Sequence, residues 1–174
     1  MRTRVLMTLL ATWVAGLTLV SAQFSSAYEV GDRPPSFQAE TLDGAKIKLS
    51  DLKGSVVVLN FWFIACPPCL EEMPDLNRLV DEFAADDVVF LAITPVDTPK
   101  DLAKFLKKHK FKYQIVAEAW DLMESYGVTG APTHMIIDQE GRIHSILFGA
   151  VTDLEEQMAR PIRGLLKPET VQSS

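Results

Sequence analysis

The stretch VVVLNFWFIACPPCLEEM, residues 56–73, decides the fold and points to the chemistry. It opens with Val56 to Trp62, a nearly unbroken run of apolar, β-branched and aromatic residues that is typical of a central strand buried on both faces. The run leads into Cys66-Pro67-Pro68-Cys69, which uses both cysteines of the chain. This spacing lets two thiols close a disulfide across one helical turn, so the rest of the sequence is interpreted around the pair.

Two cysteines at this spacing have four possible uses: a zinc site, a structural bridge, a redox pair or a copper(I) site. A zinc site usually takes four Cys or His ligands, and the three histidines of the chain show no matching spacing. A structural bridge is common in exported proteins, but one that encloses only two residues removes little entropy from the unfolded chain. Redox chemistry is therefore the leading hypothesis. A copper(I) carrier stays open as an alternative because soft thiolates suit that ion, with Met73 the only thioether nearby.

The first residues have the pattern of an export signal. Arg2 and Arg4 precede an uncharged run over residues 5–20, and small residues follow. Cleavage fits equally after Ala22 or after Ala27. The run is shorter than the roughly 20 residues of a comfortable spanning helix, although an extension through Ala22 leaves an uncleaved anchor possible. We expect an extracytoplasmic protein, either soluble in the bacterial periplasm or anchored to the inner membrane.

Length and composition fit one globular domain after this leader. Residues 1–27 are predicted as signal peptide or membrane anchor, and residues 28–174 as the folded domain. The chain is 48% hydrophobic, enough for a normal core, and its net charge of −6 does not suggest a nucleic-acid partner. The basic stretch KDLAKFLKKHKFK, residues 100–112, is interpreted as a solvated helix face. No cofactor or metal is expected.

The predicted elements alternate between strands and helices. The first predicted elements are a hairpin of 37–41 and 46–49 around Asp43-Gly44, strand 56–62, helix 67–83 with a kink at Pro74, and strand 88–94. They are followed by helix 99–109, which Thr98 caps, strand 111–116, helix 119–126, and strands 133–137 and 142–148. The last element is helix 152–166, with Thr152 and Glu155 as a capping box and a bend at Pro161. This order predicts an α/β fold: a central mixed sheet with helices on both faces and an N-terminal β-hairpin extension.

The helix that starts at Pro67 provides the chemistry that a redox cysteine needs. A thiolate attacks disulfides, and the positive end of a helix dipole lowers the pKa of a thiol placed there. Cys66, at what we expect to be the more exposed start of the helix, is the predicted nucleophile. Cys69, one turn further, is predicted to resolve the mixed disulfide by attacking Cys66 and releasing the reduced partner.

Three segments together resemble the TlpA/ResA-like group of the thioredoxin superfamily, the redoxin-type thiol:disulfide oxidoreductases that bacteria export. They are GDRPPSFQAETLDGAKIKLSDLKG (31–54), NFWFIACPPCLEEMP (60–74) and YGVTGAPTHMIIDQEGRI (126–143). The resemblance implies that residues 28–174 form a thioredoxin-like domain. It also implies a reductant of exported partner proteins that is supplied by a membrane electron donor, for example in cytochrome c or copper-site maturation. An oxidant or isomerase on the same fold stays open.

The resemblance also implies residue roles. Pro132 matches the cis-proline beside the active-site disulfide, and Ala131 would offer its backbone to an extended partner. Glu72 matches an acidic residue that influences thiol protonation; the alternative is a solvated first-turn acid. Asn60 replaces a buried aspartate of thioredoxin, which leaves proton transfer from the second cysteine to Glu72 or water. Trp62 matches a tryptophan that packs against the active-site loop. Pro67 and Pro68 are predicted to contribute to the same active-site packing.

Some positions depart from related patterns. Ala65 stands where many thioredoxins carry a tryptophan, which alters the surface around the first cysteine. His134, two residues after the predicted cis-proline, is expected to be a packed, hydrogen-bonded histidine of an inner strand. A peroxidase of the peroxiredoxin type would need proline in place of Leu59 and threonine or serine in place of Phe63, and the chain has neither.

Overall fold

A computed structural model of the protein describes residues 27–167. Its elements in chain order are β1 (Gln38–Glu40), β2 (Lys46–Lys48), a 3-10 turn (Leu49–Leu52), β3 (Val56–Phe61), α1 (Pro67–Glu82), β4 (Val88–Ile93), α2 (Pro99–Phe105), β5 (Gln114–Val116), α3 (Trp120–Ser125), β6 (Thr133–Ile137), β7 (Ile143–Phe148) and α4 (Leu154–Leu166). The predicted signal lies outside the described residues except for Ala27.

Strands β3 to β7 form one five-stranded mixed sheet in the order β5-β4-β3-β6-β7. β3 pairs parallel with β4 and antiparallel with β6, while β4 and β5 are parallel and β6 and β7 antiparallel. Strands β1 and β2 form a separate antiparallel hairpin, with Gly44 in the left-handed region at its turn. The predicted mixed sheet and N-terminal hairpin are confirmed.

Every residue of the central strand β3 is buried, as its composition predicted. Val56 and Val58 point to the face covered by α1, α2 and α4, whereas Val57, Leu59 and Phe61 point to the face covered by α3 and the N-terminal extension. Side chains of a strand alternate between faces, so a fully apolar strand requires both faces to be covered. This places β3 at the centre of the molecule and the cysteine loop at the carboxyl end of that central strand.

The lead-in before the hairpin is fixed along the edge strand β7. The Gly31 N–H donates to the Ile143 carbonyl at 2.7 Å, and the Ile143 N–H donates to the Asp32 carbonyl at 2.9 Å. The buried Tyr126 hydroxyl donates to the Pro35 carbonyl at 3.0 Å. These contacts pair part of an otherwise open sheet edge.

Most elements differ from their predicted bounds by one or two residues, and two are shorter by three residues or more. Helix α2 ends at Phe105 rather than near His109, because Leu106 is the last inward-facing apolar residue and the four residues after it are exposed. Strand β5 begins at Gln114 rather than at residue 111, because Phe111 packs its ring against Trp62, with centroids 5.2 Å apart, instead of pairing with β4. The lysines of the basic stretch are exposed except the half-buried Lys112, although only part of the stretch is helical.

The predicted capping box at the last helix is wrong. Helix α4 has Asp153 as its N-cap, in the left-handed region with φ 52°, and no side chain caps it. The third helical residue is therefore Glu156 and not Glu155, so the Thr152 hydroxyl and the Glu155 carboxylate do not have the register that a capping box needs. The Thr152 carbonyl accepts instead from the Gln157 side chain at 2.6 Å.

Candidate active site

Cys66 and Cys69 form a disulfide at the start of α1, with their Cα atoms 5.3 Å apart. Cys66 is the N-cap residue, in an extended conformation, and Pro67 and Pro68 are the first two helical residues. Proline suits these positions because its fixed φ matches the helix and the N–H it lacks would have no intrahelical partner. The sequence thus starts the helix at the first cysteine and holds the second cysteine one turn away.

Only a few N–H groups are available at this helix terminus, since two of the residues are prolines. The Cys69 N–H donates to the Cys66 Sγ at 3.3 Å. The Leu70 N–H donates to the Cys66 carbonyl at 3.2 Å. The Cys66 sulfur therefore occupies the position of a capping side chain, where a negative charge is favoured by both the N–H donor and the helix dipole.

The prediction that Cys66 is the more exposed cysteine is wrong. Both cysteines are 3% exposed and belong to the same buried cluster, although Cys66 is the N-cap residue and Cys69 lies inside the helix. Ala65 and Pro67 on either side of Cys66 are exposed. The two sulfurs differ in their position relative to the helix terminus, with Cys66 as the cap that accepts the N–H bond.

The loop before Cys66 is fixed by an aspartate that sequence reasoning missed. The Asp97 Oδ2 accepts from the Ile64 N–H at 2.9 Å and from the Thr94 hydroxyl at 2.6 Å. Asp97 follows β4, and β3 and β4 are parallel, so their carboxyl ends meet at the same edge of the sheet. That topology was the available signal, because polar residues after neighbouring parallel strands converge there.

The Ala131–Pro132 peptide bond is cis, as the resemblance predicted. The antiparallel register pairs Phe61 with Thr133, so Pro132 lies at the end of the sheet where the cysteine loop begins. Ala131 is half-buried and packs against the cluster that contains both cysteines. The structure thus brings the cis-proline and the disulfide to the same end of the sheet.

Trp62 is buried in the same cluster as the two cysteines. Its ring contacts Phe105 of α2, with centroids 5.6 Å apart, and the edge of Phe111. The tryptophan therefore packs the start of the active-site loop against α2.

Glu72 is buried at 7% exposure, which rules out the alternative of a solvated first-turn acid. Its Oε2 lies 3.1 Å from the Nε2 of His134, and the Nδ1 of His134 lies 3.2 Å from the Nδ2 of Asn60. His134 is fully buried and hydrogen-bonded, as expected, and Asn60 is 1% exposed. Sequence reasoning considered the three residues singly and missed that they form one connected set, which we call the Asn60–His134–Glu72 chain.

Within residues 27–167, four buried side-chain polar atoms have no hydrogen-bond partner: the Asn60 Oδ1, the Trp62 Nε1, the Glu72 Oε1 and the Tyr113 hydroxyl. Burial raises the pKa of Tyr113 well above its usual range, and the negative charge of Glu72 adds to the rise. Buried polar atoms without partners are rare and are concentrated at functional positions. Two of the four atoms belong to residues close in sequence to the cysteines, Trp62 before Cys66 and Glu72 after Cys69.

A surface groove of about 480 Å³ adjoins the residue before Cys66. It is lined by Ile64, Ala65, Asp97, Asp101, Lys104, Phe105, Lys108 and His109. Acidic and basic side chains both contribute to its walls, and Lys104 lies 3.6 Å from Asp101. The groove offers space for a partner segment beside the active-site loop.

No group of three potential metal ligands lies together in the described part of the chain. In the same residues, no helix is both long and apolar enough to cross a lipid bilayer.

Comparison with known proteins agrees with this geometry. The AhpC/TSA family matches residues 30–146. The chain is 32% identical to the thiol-disulfide oxidoreductase ResA of Bacillus cereus over 162 residues, which cover 90% of this chain and 94% of that protein. It is 34% identical to ResA of Geobacillus thermodenitrificans over 155 residues, covering 87% of this chain and 88% of that protein.

Among solved structures, a crystal structure from Chlorobium tepidum, described as a thiol:disulfide interchange protein of the DsbE type, aligns with a TM-score of 0.72 and 29% identity. The alignment covers 80% of this chain and 99% of that one. The thioredoxin-like fold and the Cys66–Cys69 pair agree with these relatives. The chain therefore belongs to the AhpC/TSA family and is a thiol-disulfide oxidoreductase of the ResA type.

Proposed function

We propose that the protein reduces disulfides of exported partner proteins outside the cytoplasm, with Cys66 as the nucleophile and Cys69 as the resolving cysteine. The observation that carries the proposal is the position of the Cys66 sulfur as N-cap of α1, where it accepts the Cys69 N–H. A thiolate in that position is stabilised without a metal or a second base.

The proposed reaction begins with the reduced protein, which carries a Cys66 thiolate and a Cys69 thiol. The Cys66 sulfur attacks one sulfur of the partner disulfide, so a mixed disulfide forms and the other partner sulfur leaves as a thiolate. Cys69 then loses its proton and attacks the Cys66 sulfur. The Cys66–Cys69 disulfide forms, and the second partner sulfur leaves. Two electrons have passed from the protein to the partner.

Glu72 is proposed as the group that takes the proton of Cys69. It is buried in α1 three residues after Cys69, and its Oε1 has no hydrogen-bond partner. General bases act through direct contact with the proton that they remove. The carboxylic acid that results can return the proton to a leaving partner thiolate.

The two prolines support the proposed direction of electron flow. A strongly oxidising couple requires a well-stabilised thiolate in its reduced form. Pro67 and Pro68 each lack an N–H, so the Cys69 N–H is the donor left for the Cys66 sulfur. A less stabilised thiolate shifts the couple toward the reductant end of the range.

The partner is proposed to bind as an extended segment beside Cys66. The exposed Ala65 and Pro67 flank the sulfur, and Ala131 before the cis-proline lies at the same end of the sheet. The proposed location outside the cytoplasm rests on the signal or anchor predicted for residues 1–27. Because such a reductant must be recharged there, a membrane electron donor completes the proposal, and apocytochrome c or copper-site cysteines are the proposed targets.

The reduction potential of the purified protein tests this proposal. It is measured by equilibration in glutathione or dithiothreitol buffers, with alkylation of free thiols as the readout. A value near or below about −270 mV is expected for a reductant. A value near about −120 mV would contradict the direction and favour an oxidant of exported proteins. Failure to form the intramolecular disulfide would favour the copper(I) carrier instead.

A further inference from the structure

The Asn60–His134–Glu72 chain connects the central sheet to α1 on the side of the disulfide. Asn60 of β3 and His134 of β6 are direct partners in the antiparallel register. Paired residues of neighbouring strands point to the same face, and here their side chains are in contact. From that face His134 reaches Glu72, which is one helical turn beyond Cys69.

The hydrogen bonds define which nitrogen of His134 carries the proton. The Asn60 Nδ2 can only donate, so the His134 Nδ1 accepts and is unprotonated. The proton is therefore on Nε2, which donates to the Glu72 Oε2 at 3.1 Å. The hydrogen bond made by one ring nitrogen thus sets the role of the other.

The second oxygen of Glu72 is left available to the active site. Oε1 is buried and has no hydrogen-bond partner. Residues three apart on a helix lie on the same face, and helical side chains tilt toward the N-terminus. Glu72 therefore lies on the same face of α1 as Cys69, one turn further along, and both residues are buried.

We infer that His134 is a positioning residue for the resolving step: it binds the Glu72 Oε2 and thereby keeps Oε1 turned to Cys69 as the acceptor of the thiol proton. Asn60 keeps His134 in the tautomer that can donate. In this step the Cys69 proton passes to the Glu72 Oε1, the Cys69 sulfur attacks the Cys66 sulfur of the mixed disulfide, and the partner thiolate leaves. The inference rests on the role proposed above for Glu72.

A purely structural role for His134 is the competing explanation. A buried histidine that links two elements stabilises the fold whether or not it serves the reaction. The two roles differ in what they require of the side chain. A structural role needs a packed polar group, whereas the positioning role needs a donor that reaches Glu72.

Two amide substitutions separate these requirements. His134→Gln places an amide N–H near the former Nε2 and can still donate to Glu72. His134→Asn is shorter, so it keeps a polar group beside Asn60 but does not reach Glu72. Glu72→Gln keeps a hydrogen-bonding group and removes the proton acceptor.

The reaction of the reduced full-length protein with dithionitrobenzoate, a chromogenic disulfide, resolves the two chemical steps by stopped flow. Attack by Cys66 releases the first thionitrobenzoate, and attack by Cys69 on the mixed disulfide releases the second. Cys69→Ser identifies the phases because it retains only the first. Circular dichroism verifies that each variant is folded, because an unfolded dithiol also reacts with this reagent, and the first phase then reports the reactivity of Cys66.

We expect His134→Asn to slow the second phase about ten- to hundredfold, the range for loss of a hydrogen bond to a charged group. His134→Gln should stay near the wild-type rate. The double variant with His134→Asn and Glu72→Gln should be no slower than Glu72→Gln alone, because residues that act through one another are not additive.

Three results would overturn the inference: an unchanged second phase in His134→Asn, equal slowing by His134→Asn and His134→Gln, or effects of His134→Asn and Glu72→Gln that multiply in the double variant. If His134→Asn does not fold, the comparison of His134→Gln with Glu72→Gln decides, since equal slowing contradicts the positioning role. A wild-type protein that lacks the second phase would instead refute the proposed role of Cys69 and the proposed function.

Discussion

Pro68→Ala is expected to make the Cys66–Cys69 couple more oxidising. A capping side chain accepts from the N–H of the second or third helical residue. The third residue, Cys69, already donates to the Cys66 sulfur at 3.3 Å, but the second residue is Pro68, which has no N–H. Alanine at this position supplies the missing donor without changing the length of the turn.

The size of the effect follows from the bond that is added. A hydrogen bond to a charged group contributes about 1.5 kcal/mol at the lower end of its range. The bond stabilises the Cys66 thiolate of the reduced protein much more than the sulfur of the disulfide. For a two-electron couple about 30 mV corresponds to 1.4 kcal/mol, so the reduction potential should rise by roughly 30 mV.

The assay is equilibration of each variant in glutathione buffers, followed by alkylation of free thiols. Pro67→Ala is the matched control, because it also replaces a proline but adds its N–H at the first helical position, which does not face the capping side chain. Its shift should be much smaller. An equal rise of the reduction potential in the two variants, or a lower reduction potential in Pro68→Ala, would refute the link between the capping N–H donors and the reduction potential.

Three substitutions test the account of packing and capping, each by urea unfolding. Tyr113→Phe removes a buried hydroxyl that has no hydrogen-bond partner and should raise the free energy of unfolding by about 1 kcal/mol, whereas Tyr126→Phe loses the bond to the Pro35 carbonyl and should lower it by about 1 kcal/mol. Changes of the same sign would contradict this reasoning. Thr98→Ala removes the cap of α2 and should cost about 1 kcal/mol at pH 7. The Thr98 hydroxyl also holds the pKa of Asp101 below its model-compound value of 3.8. A carboxyl whose folded-state pKa is lowered stabilises the fold above its unfolded pKa and loses that contribution as the pH falls through the folded value. The difference in the free energy of unfolding between wild type and Thr98→Ala should therefore become smaller below pH 3.8. A difference that becomes larger there would argue against the Thr98–Asp101 hydrogen bond as its source.

Local sequence signals predicted most of the fold. The apolar run of β3 required a strand covered on both faces, and Pro67 and Pro68 fit a helix that starts at Cys66. Thr98 and Pro99 marked the start of α2, where the Thr98 hydroxyl accepts the Asp101 N–H at 3.2 Å. In each case the determining interactions lie within a few residues of one another.

The incorrect predictions depended on structure that local patterns do not contain. The capping box of α4 failed because Asp153 takes a left-handed conformation and moves the helix start by one residue. The prediction that Cys66 is more exposed than Cys69 was wrong because the burial of a residue depends on tertiary packing around it. The Cys-Pro-Pro-Cys motif does not encode that packing.

The Asn60–His134–Glu72 chain was missed for a related reason. Its outer members are 12 residues apart in sequence, but the histidine that joins them is 74 residues from Asn60. Only the pairing of β3 with β6 brings Asn60 beside His134, and only the packing of α1 on that face adds Glu72. The individual residues were recognised, whereas their contact required the sheet register.

The most direct test of the central claim is a comparison of Cys66→Ser with Cys69→Ser in their reaction with a disulfide. If Cys66 is the nucleophile, Cys69→Ser should release one thionitrobenzoate from dithionitrobenzoate and retain a stable mixed disulfide, detected as an adduct by mass spectrometry. Cys66→Ser should react far more slowly and trap little adduct. Equal rates in the two variants, or an adduct that forms readily only in Cys66→Ser, would contradict the assignment of the nucleophile and the proposed reaction with it.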